Sequence, residues 1–247
     1  MKTHVNVLLA CVFTALSVSA SAETSATRGF VVVNGGYQLT KNSFTDGATR
    51  RQYAEDGRLD TAYQVKAGPS FDVAGGARVW KQLGVGVGVS RFSTSTPATL
   101  SGTVPHPFFF NQPRSISGAV GGLKREELTV NLQARGMLEA GRRLEVMVFG
   151  GPSFFQLKQS VVSDIAVSES YPYDAATFQS AMTTQSNASK IGFNAGGDVA
   201  VFFTRQLGVG VTAQFAQATV GVAGVGGAKH DVKVGGGNVG GGIRLRF

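Results

Sequence analysis

Cysteine is almost absent from the sequence, because the one residue of this type, Cys11, lies within the first 22 positions. Those positions combine a lysine near the start, an apolar stretch and the small residues Ala20-Ser21-Ala22, a combination typical of a secretory signal peptide. We therefore predict that residues 1–22 are cleaved and that residues 23–247 form one mature domain. A mature chain without cysteine excludes disulfides, thiol chemistry and cysteine-ligated metal sites.

Long apolar runs are also lacking after residue 22, which argues against a transmembrane helix. Glycine is abundant instead: all 34 glycines follow residue 22, and they make up roughly 15% of the mature chain against a usual ~7%. They have no collagen-like period and are not accompanied by proline. The formal net charge of +8 would suit nucleic acid, but the predicted export of the chain argues against that partner.

Histidine is scarce as well, since the predicted mature chain contains only His106 and His230. Both fall in predicted loops, and neither belongs to a local motif that would combine a nucleophile, a base and an orienting group. The sequence also lacks a phosphate-binding loop, a metal-ligand spacing and a nucleotide-binding fingerprint. We therefore expect no catalytic, cofactor-binding or metal-binding residues, and we expect that the protein is not an enzyme.

A period of two is the clearest pattern that is present. From Leu128 to Leu138, apolar residues and glycine alternate with polar residues, as in a strand whose two faces meet different environments. The same alternation recurs in seven other segments, at 31–39, 70–79, 83–90, 144–149, 191–201, 207–216 and 238–247. The sequence therefore predicts about eight strands.

The connections between these segments alternate in length. Short links at 80–82, 140–143 and 204–206 separate long ones at 41–66, 93–124, 159–189 and 219–236. Tight periplasmic turns and long extracellular loops alternate in this way in outer-membrane barrels. We therefore predict an all-β fold, a closed antiparallel up-and-down transmembrane β-barrel of about eight strands.

The two faces of the predicted strands differ in charge. One face carries Leu, Val, Ile and Phe almost without charge, and we assign it to the lipid because a charge at the bilayer midplane costs about 2–4 kcal/mol. The opposite face would then line the lumen, with charges that must pair. Its charged residues are Asp72, Arg78, Arg135, Glu139, Glu145, Asp198, Arg244 and Arg246. Two interpretations remain open: a salt-bridge plug that fixes strand register, or a narrow path for ions or solutes.

Aromatic residues are expected at the periplasmic rim, where Trp80, Phe203 and Phe247 would form an interfacial girdle. If side chains alternate strictly along this strand, Trp80 points into the lumen. Either a bulge turns its side chain outwards or the side chain caps the lumen.

The predicted outer loops carry three further features. The apolar segment 105–110, which contains His106 and three consecutive phenylalanines, either folds over the barrel mouth or forms a sticky tip for a partner or hydrophobic ligand. Asp174 is positioned to cap a short helix over residues 174–184. Basic residues of the first loop, offset by acidic neighbours, could contact lipopolysaccharide phosphates.

The carboxy-terminal residues Ile243, Leu245 and Phe247 look like the assembly signal that the barrel-assembly machinery reads in bacterial outer-membrane barrels. With the signal peptide and the loop alternation, the chain resembles the outer membrane protein A-like family of small eight-stranded barrels. The resemblance implies an integral outer-membrane protein that contacts membrane lipids and lipopolysaccharide. We expect a structural or surface-interaction role through the outer loops, with no cofactor. The alternatives are a narrow pore or carrier for small or hydrophobic solutes and a lipid-acting enzyme.

Overall fold

The computed structural model describes residues 29–39, 41–141, 143–223 and 229–247, so the predicted signal peptide lies outside the described residues. Ten strands make up the fold: β1 (Gly29–Gln38), β2 (Asn42–Gln52), β3 (Glu55–Val65), β4 (Gly68–Trp80), β5 (Leu83–Val104), β6 (Arg114–Ala140), β7 (Leu144–Glu169), β8 (Ala176–Phe202), β9 (Leu207–Ala223) and β10 (Lys229–Arg246). No helix within those ranges is long and apolar enough to cross a membrane.

Eight of these strands, β1 and β4 to β10, form a closed antiparallel ring. The ring closes between the first and last strands, which pair from Phe30 opposite Arg246 to Gln38 opposite Asn238. Closure gives every ring strand a partner on both sides, as hydrocarbon requires because it cannot hydrogen-bond a peptide group. The predicted eight-stranded barrel is confirmed.

Large apolar side chains point away from the ring axis, as the alternation predicts. Val87, Leu132 and Val211 are 45%, 54% and 58% exposed. Gly86 and Gly88, which alternate with the valines of β5, are buried on the lumen side. The apolar face therefore surrounds the barrel as a continuous band.

Two girdles of exposed aromatic side chains bound this band. The lower girdle consists of Trp80, Phe203 and Phe247, and the upper girdle consists of Tyr37, Phe71, Phe154, Phe193 and Phe215. From Phe193 on β8 to Phe203, the residue after that strand, the two girdles are ten positions apart, which matches the 9–11 residues of a membrane-spanning strand. The pairing of β4 with β5 shifts between Arg78 and Trp80. This bulge turns the side chain of Trp80 outwards, so Trp80 does not cap the lumen.

The predicted long loops are mostly strand, which corrects the sequence prediction. β5 continues to Val104 and β6 begins at Arg114, so the connection at 93–124 is a long hairpin with a short end. β7 and β8 extend in the same way to Glu169 and from Ala176, and β9 and β10 extend beyond the upper girdle. The expected loop at 41–66 contains strands β2 and β3. We call the part of the sheet above the upper girdle the extension.

The interior of the extension is apolar, and its outer face is polar. Leu100 and Ile116 are buried inside, whereas their neighbours Thr99, Ser101, Ser115 and Ser117 are exposed. Tyr63 of β3 is fully buried in this core and accepts a hydrogen bond from the Val162 backbone N–H at 2.9 Å. Burial raises the pKa of the Tyr63 hydroxyl to about 12, so the hydroxyl stays neutral at physiological pH. The polarity of the two barrel faces is therefore inverted between the membrane and the extension.

Gly122 marks a change of phase in β6. Residues Leu123, Arg125 and Glu127 point inwards at odd positions, whereas Arg114 and Ile116 point inwards at even positions. The pairing of β5 with β6 is irregular between Thr96 and Ala98, opposite this point. Gly122 has a φ of 72°, which a residue without Cβ adopts at little cost. The one extra residue in β6 keeps the same face of the sheet buried on both sides of the irregularity.

The β2–β3 hairpin completes the wall of the extension. Its turn uses Tyr53 and Ala54, with φ values of 52° and 66°. β3 pairs with the outer part of β5, and β2 ends the order of strands in the sheet. Asp46 of β2 lies 2.7 Å from His230 of β10. We call this boundary, where no ladder pairs β2 with β10 among the described residues, the seam.

The membrane assignment predicts the outcome of arginine substitutions in the band. Val87→Arg and Leu132→Arg should each destabilise the folded barrel by about 2–4 kcal/mol, because each places a charge near the bilayer midplane. The matched variants Val87→Leu and Leu132→Met should fold normally. Folded fractions can be measured by heat-dependent migration on gels after refolding into lipid vesicles. Equal folding of arginine and apolar variants would contradict the assignment.

Candidate functional site

The centre of the lumen holds a buried ion pair. Arg244 of β10 donates from its Nε to the carboxylate of Asp198 on β8 at 3.1 Å, and its Nη2 also donates to Asp198. Both residues are buried. Thr212, between them on β9, donates its hydroxyl to Asp198 and accepts from Arg244 at 2.9 Å. Three adjacent strands are therefore joined across the lumen face.

Asn34 links this pair to β4. Its Oδ1 accepts from Arg244 Nη1 at 2.6 Å, and its Nδ2 donates to Asp72 at 2.9 Å. Asn34 is 1% exposed, so its amide replaces water for both charged partners. The network thus brings together three of the predicted lumen charges, and neutral side chains connect them.

Arg135 of β6 lies beside this network. Its guanidinium packs over the rings of Phe30 and Phe149, at 4.4 and 5.3 Å from their centroids, and donates to Gln133. A Cβ added to Gly86 would lie 2.9 Å from its Nε, so the glycine of β5 provides room for this side chain. Glycine in the lumen therefore accommodates arginine and leaves no open channel at this level.

The remaining predicted lumen charges pair near the lower girdle. Arg78 lies 2.6 Å from Glu139, and Arg246 lies 3.3 Å from Glu145 while packing over the ring of Phe202 at 3.8 Å. All eight predicted residues thus belong to the lumen or its lower end. A cavity of about 20 Å³, enough for about one water molecule, lies beside Asn34, Asp72 and Arg135.

A second buried ion pair closes the lumen at the top and was missed by the sequence analysis. Arg125 is fully buried, within 2.7 Å of Glu127, and donates to the carbonyl of Lys233 at 2.9 Å. Glu127 accepts from the Gly235 backbone N–H at 2.7 Å. Both residues share the inward parity of Thr129, so continuing the alternation below residue 128 would have identified them.

No family model and no curated protein matches the sequence. Solved structures are similar to it at low sequence identity. The outer membrane protein OprG from Pseudomonas aeruginosa is 9% identical over 90% of this chain and 97% of its own, with a TM-score of 0.49. Neisserial surface protein A is 10% identical over 91% of this chain and 100% of its own, with a TM-score of 0.45. The attachment invasion locus protein Ail of Yersinia pestis is 11% identical over 88% and 99%, with a TM-score of 0.35.

The closed ring, the outward apolar band and the two aromatic girdles decide what kind of protein this is. The chain is an integral outer-membrane β-barrel. The lipids of the outer membrane therefore contact the band between its girdles.

The outer end of the barrel is a rigid tip formed by residues 53–54, 105–113 and 170–175. Arg114 donates to the carbonyls of Pro105 and Tyr173 and pairs with Glu169. Tyr53 donates its hydroxyl to Glu169 at 2.7 Å. The predicted helix after Asp174 is wrong, because β8 begins at Ala176 and pairs with β7 from there. Extended pairing leaves no room for a helix at this point.

His106 braces the tip. Its Nδ1 accepts the backbone N–H groups of Phe108 and Phe109 at 3.1 and 3.2 Å, and the imidazole is buried. The three phenylalanines that follow point into solvent, which favours the sticky tip over a loop folded across the mouth. No group of three potential metal-ligating side chains occurs within the described residues.

Removing one partner of the central ion pair should destabilise the barrel strongly. Arg244→Gln leaves Asp198 buried without its cation, and we expect a loss of about 3–5 kcal/mol in the free energy of unfolding. Asp198→Asn combined with Arg244→Gln should recover most of that loss. Arg78→Gln serves as the control, because its partner Glu139 is half-exposed and the loss should stay below about 1 kcal/mol. Urea unfolding in lipid vesicles measures all three.

Proposed function

We propose that the barrel is a sealed platform that presents its rigid outer tip for interaction at the cell surface. The filled lumen is the observation that carries this proposal. A structure built for conduction would keep a continuous polar path, whereas buried side chains and ion pairs occupy the described interior at three levels. The ion pairs then fix strand register, which is the first of the two interpretations of the lumen charges.

Three successive layers block the interior. Phe30, Met137 and Met147 pack together at the lower end. The central network of Arg244 and Asp198 follows, and Arg125 with Glu127 lies above it. Beyond these, the apolar core of the extension is packed with side chains that include Leu157, Val161, Val162 and Val220, all 1% exposed or less. Water and ions would have to displace each layer in turn.

A carrier for hydrophobic solutes is the second candidate function. The apolar interior of the extension and the seam beside β2 favour it. The solute would enter only after the β2–β3 hairpin moved away from β10 and the core side chains separated. The barrel as described is closed to such a solute, so the platform is the function that the geometry supports best.

We infer that the barrel is not an enzyme. His106 uses its Nδ1 to accept backbone N–H groups, and His230 lies against Asp46 in the wall of the extension. A catalytic imidazole would instead have to reach a nucleophile and a bound substrate. Both histidines have structural contacts that account for their positions.

Lipopolysaccharide is the proposed partner of a ring of basic side chains, which we call the basic belt. Its members point outwards just above the upper girdle: Lys66, Arg91, Lys124, Lys158, Lys190 and Lys233. Arg91, for example, is paired in register with Phe71 of the girdle. Phosphate groups of the outer leaflet lie at this depth, where they would accept charge-assisted hydrogen bonds. We infer also that Ile243, Leu245 and Phe247 are read by the assembly machinery.

The basic belt can be tested by charge removal. Lys66→Gln, Lys124→Gln and Lys190→Gln together should lower the lipopolysaccharide retained per folded barrel several-fold, because three phosphate contacts are lost. The control replaces Lys81, Arg143 and Arg205 by Gln, since these exposed cations lie at the periplasmic turns. Phosphate analysis after mild detergent extraction measures retention. Equal loss in both triple variants would contradict the proposed belt.

The sealed lumen predicts the electrical behaviour of the purified barrel. Reconstituted in planar bilayers, the folded protein should show no discrete conductance steps at moderate voltage. Conductance steps should appear only in the variant Arg135→Ala, which widens the lumen by removing the side chain between Phe30 and Phe149. Regular single-channel steps from the unaltered protein would show that the lumen conducts and that the platform proposal is wrong.

A further inference from the structure

The tip exposes a cluster of aromatic side chains that the barrel itself does not use. Phe108, Phe109 and Phe110 are 69%, 55% and 71% exposed, and Tyr171 is 86% exposed. Phe108 meets Tyr173 edge to face at 5.4 Å, so the hairpin ends at 105–113 and 170–175 form one surface. We call these five residues the aromatic surface. Contiguous apolar surface of this kind marks a site of interaction.

The aromatic surface is held in place from behind. His106 accepts two backbone N–H groups of the phenylalanine segment, and the Asn111 N–H donates to Glu55 at 2.7 Å, which joins the segment to the β2–β3 turn. Arg114 fixes both flanking loops through Pro105 and Tyr173. The rings are therefore presented in a fixed arrangement, and little conformational entropy is lost when they bind.

The hairpin ends at 50–60, 105–114 and 164–175 carry six acidic and four basic side chains, and three ion pairs form among them. Arg50 lies 3.1 Å from Asp164, Arg58 lies 2.9 Å from Asp60, and Arg114 pairs with Glu169. The phenylalanine rings themselves carry no hydrogen-bonding atom. A partner that binds here therefore needs no net charge, and its attraction to the rings is apolar.

The barrel's own membrane is out of reach of the aromatic surface. From Phe92, close above the upper girdle, to Val104, β5 spans roughly 40 Å, which corresponds to about 30 Å of height at the usual strand tilt. An aromatic girdle at the home interface lies near the bilayer, and these rings do not. A bilayer that contacts these rings is therefore a different bilayer from the one that holds the barrel.

We propose that the aromatic surface inserts into the headgroup boundary of a second, zwitterionic lipid bilayer that faces the outer membrane. Phenylalanine and tyrosine are favoured at this boundary, where rings are buried among acyl chains and hydroxyls stay hydrated. A bilayer deforms around a protruding tip, whereas a protein partner would need a matching pocket. The excess of acidic over basic side chains at the hairpin ends fits a zwitterionic surface better than an anionic one, which would repel it. The inference rests on the proposed surface role and names its partner.

Co-flotation tests the proposal with the intact barrel embedded in nanodiscs. Nanodiscs should float with phosphatidylcholine vesicles, and Phe108→Ser, Phe109→Ser and Phe110→Ser together should reduce the floating fraction at least ten-fold. Met182→Ser is the matched control, because Met182 is 68% exposed on the wall of the extension. Phe110→Ser alone provides a milder variant should the triple variant fold poorly. Flotation should be the same at about 0.1 M and about 0.5 M salt, because salt screens charge–charge attraction but not the insertion of apolar rings.

A second measurement reports insertion directly. In a Trp80→Phe background, Phe110→Trp should shift its fluorescence to the blue on adding vesicles and be quenched by brominated lipids. Flotation that persists in the triple variant, or that requires anionic lipid, would overturn the proposal. Adhesion to cells separates the two proposals. If adhesion depends on the barrel, is abolished by protease treatment of the target cells, and occurs without vesicle flotation, then the surface role stands and the lipid partner is refuted. Absence of both adhesion and flotation refutes both.

Discussion

Hydrocarbon offers no hydrogen bond to a peptide group, and this constraint determines how the first and last ring strands meet. β1 and β10 must pair along their whole membrane-spanning length, because an unpaired edge there would leave several N–H and C=O groups unsatisfied. Closure in turn creates a narrow interior that every second side chain enters. The outer face must then be apolar, and whatever polar groups remain inside must satisfy one another. Asn34, Thr212 and Gln133 do this for the arginines and aspartates of the lumen.

Long strands such as β6 and β7 pass through two environments with opposite demands. Inside the membrane their outward side chains face lipid and their inward ones are polar, whereas in the extension the outward side chains face water and the inward ones are apolar. Arg125 and Glu127 lie at the boundary between the polar lumen of the membrane part and the apolar core of the extension. Gly122 adjusts the phase of β6 just above them. The extension is therefore built like a soluble β-barrel on top of a membrane barrel, with the β2–β3 hairpin as part of its wall.

The membrane part of this arrangement could be predicted from the sequence because the period of two is uninterrupted there. Leu128 to Leu138 keep one parity apolar or glycine and the other polar except for Met137, and all eight charged lumen positions follow from parity. The extension was predicted as loop because its alternation inverts, is broken by the irregularity near Gly122, and is rich in Ser and Thr that are also common in loops. The pairs between lumen charges could not be predicted, because they depend on which strands face each other across the barrel. Asn34 joins Arg244 and Asp72 through contacts that no local pattern encodes.

Because the segments above the upper girdle are sheet, only every second position along them can change in evolution without affecting the core. An outward residue such as Thr99 or Ser117 can be exchanged with little effect on the fold, whereas its neighbours Leu100 and Ile116 are bound to the interior. Under selection by antibodies, substitutions would therefore accumulate at every second position along the wall of the extension. Consecutive substitutions would occur only at the hairpin ends.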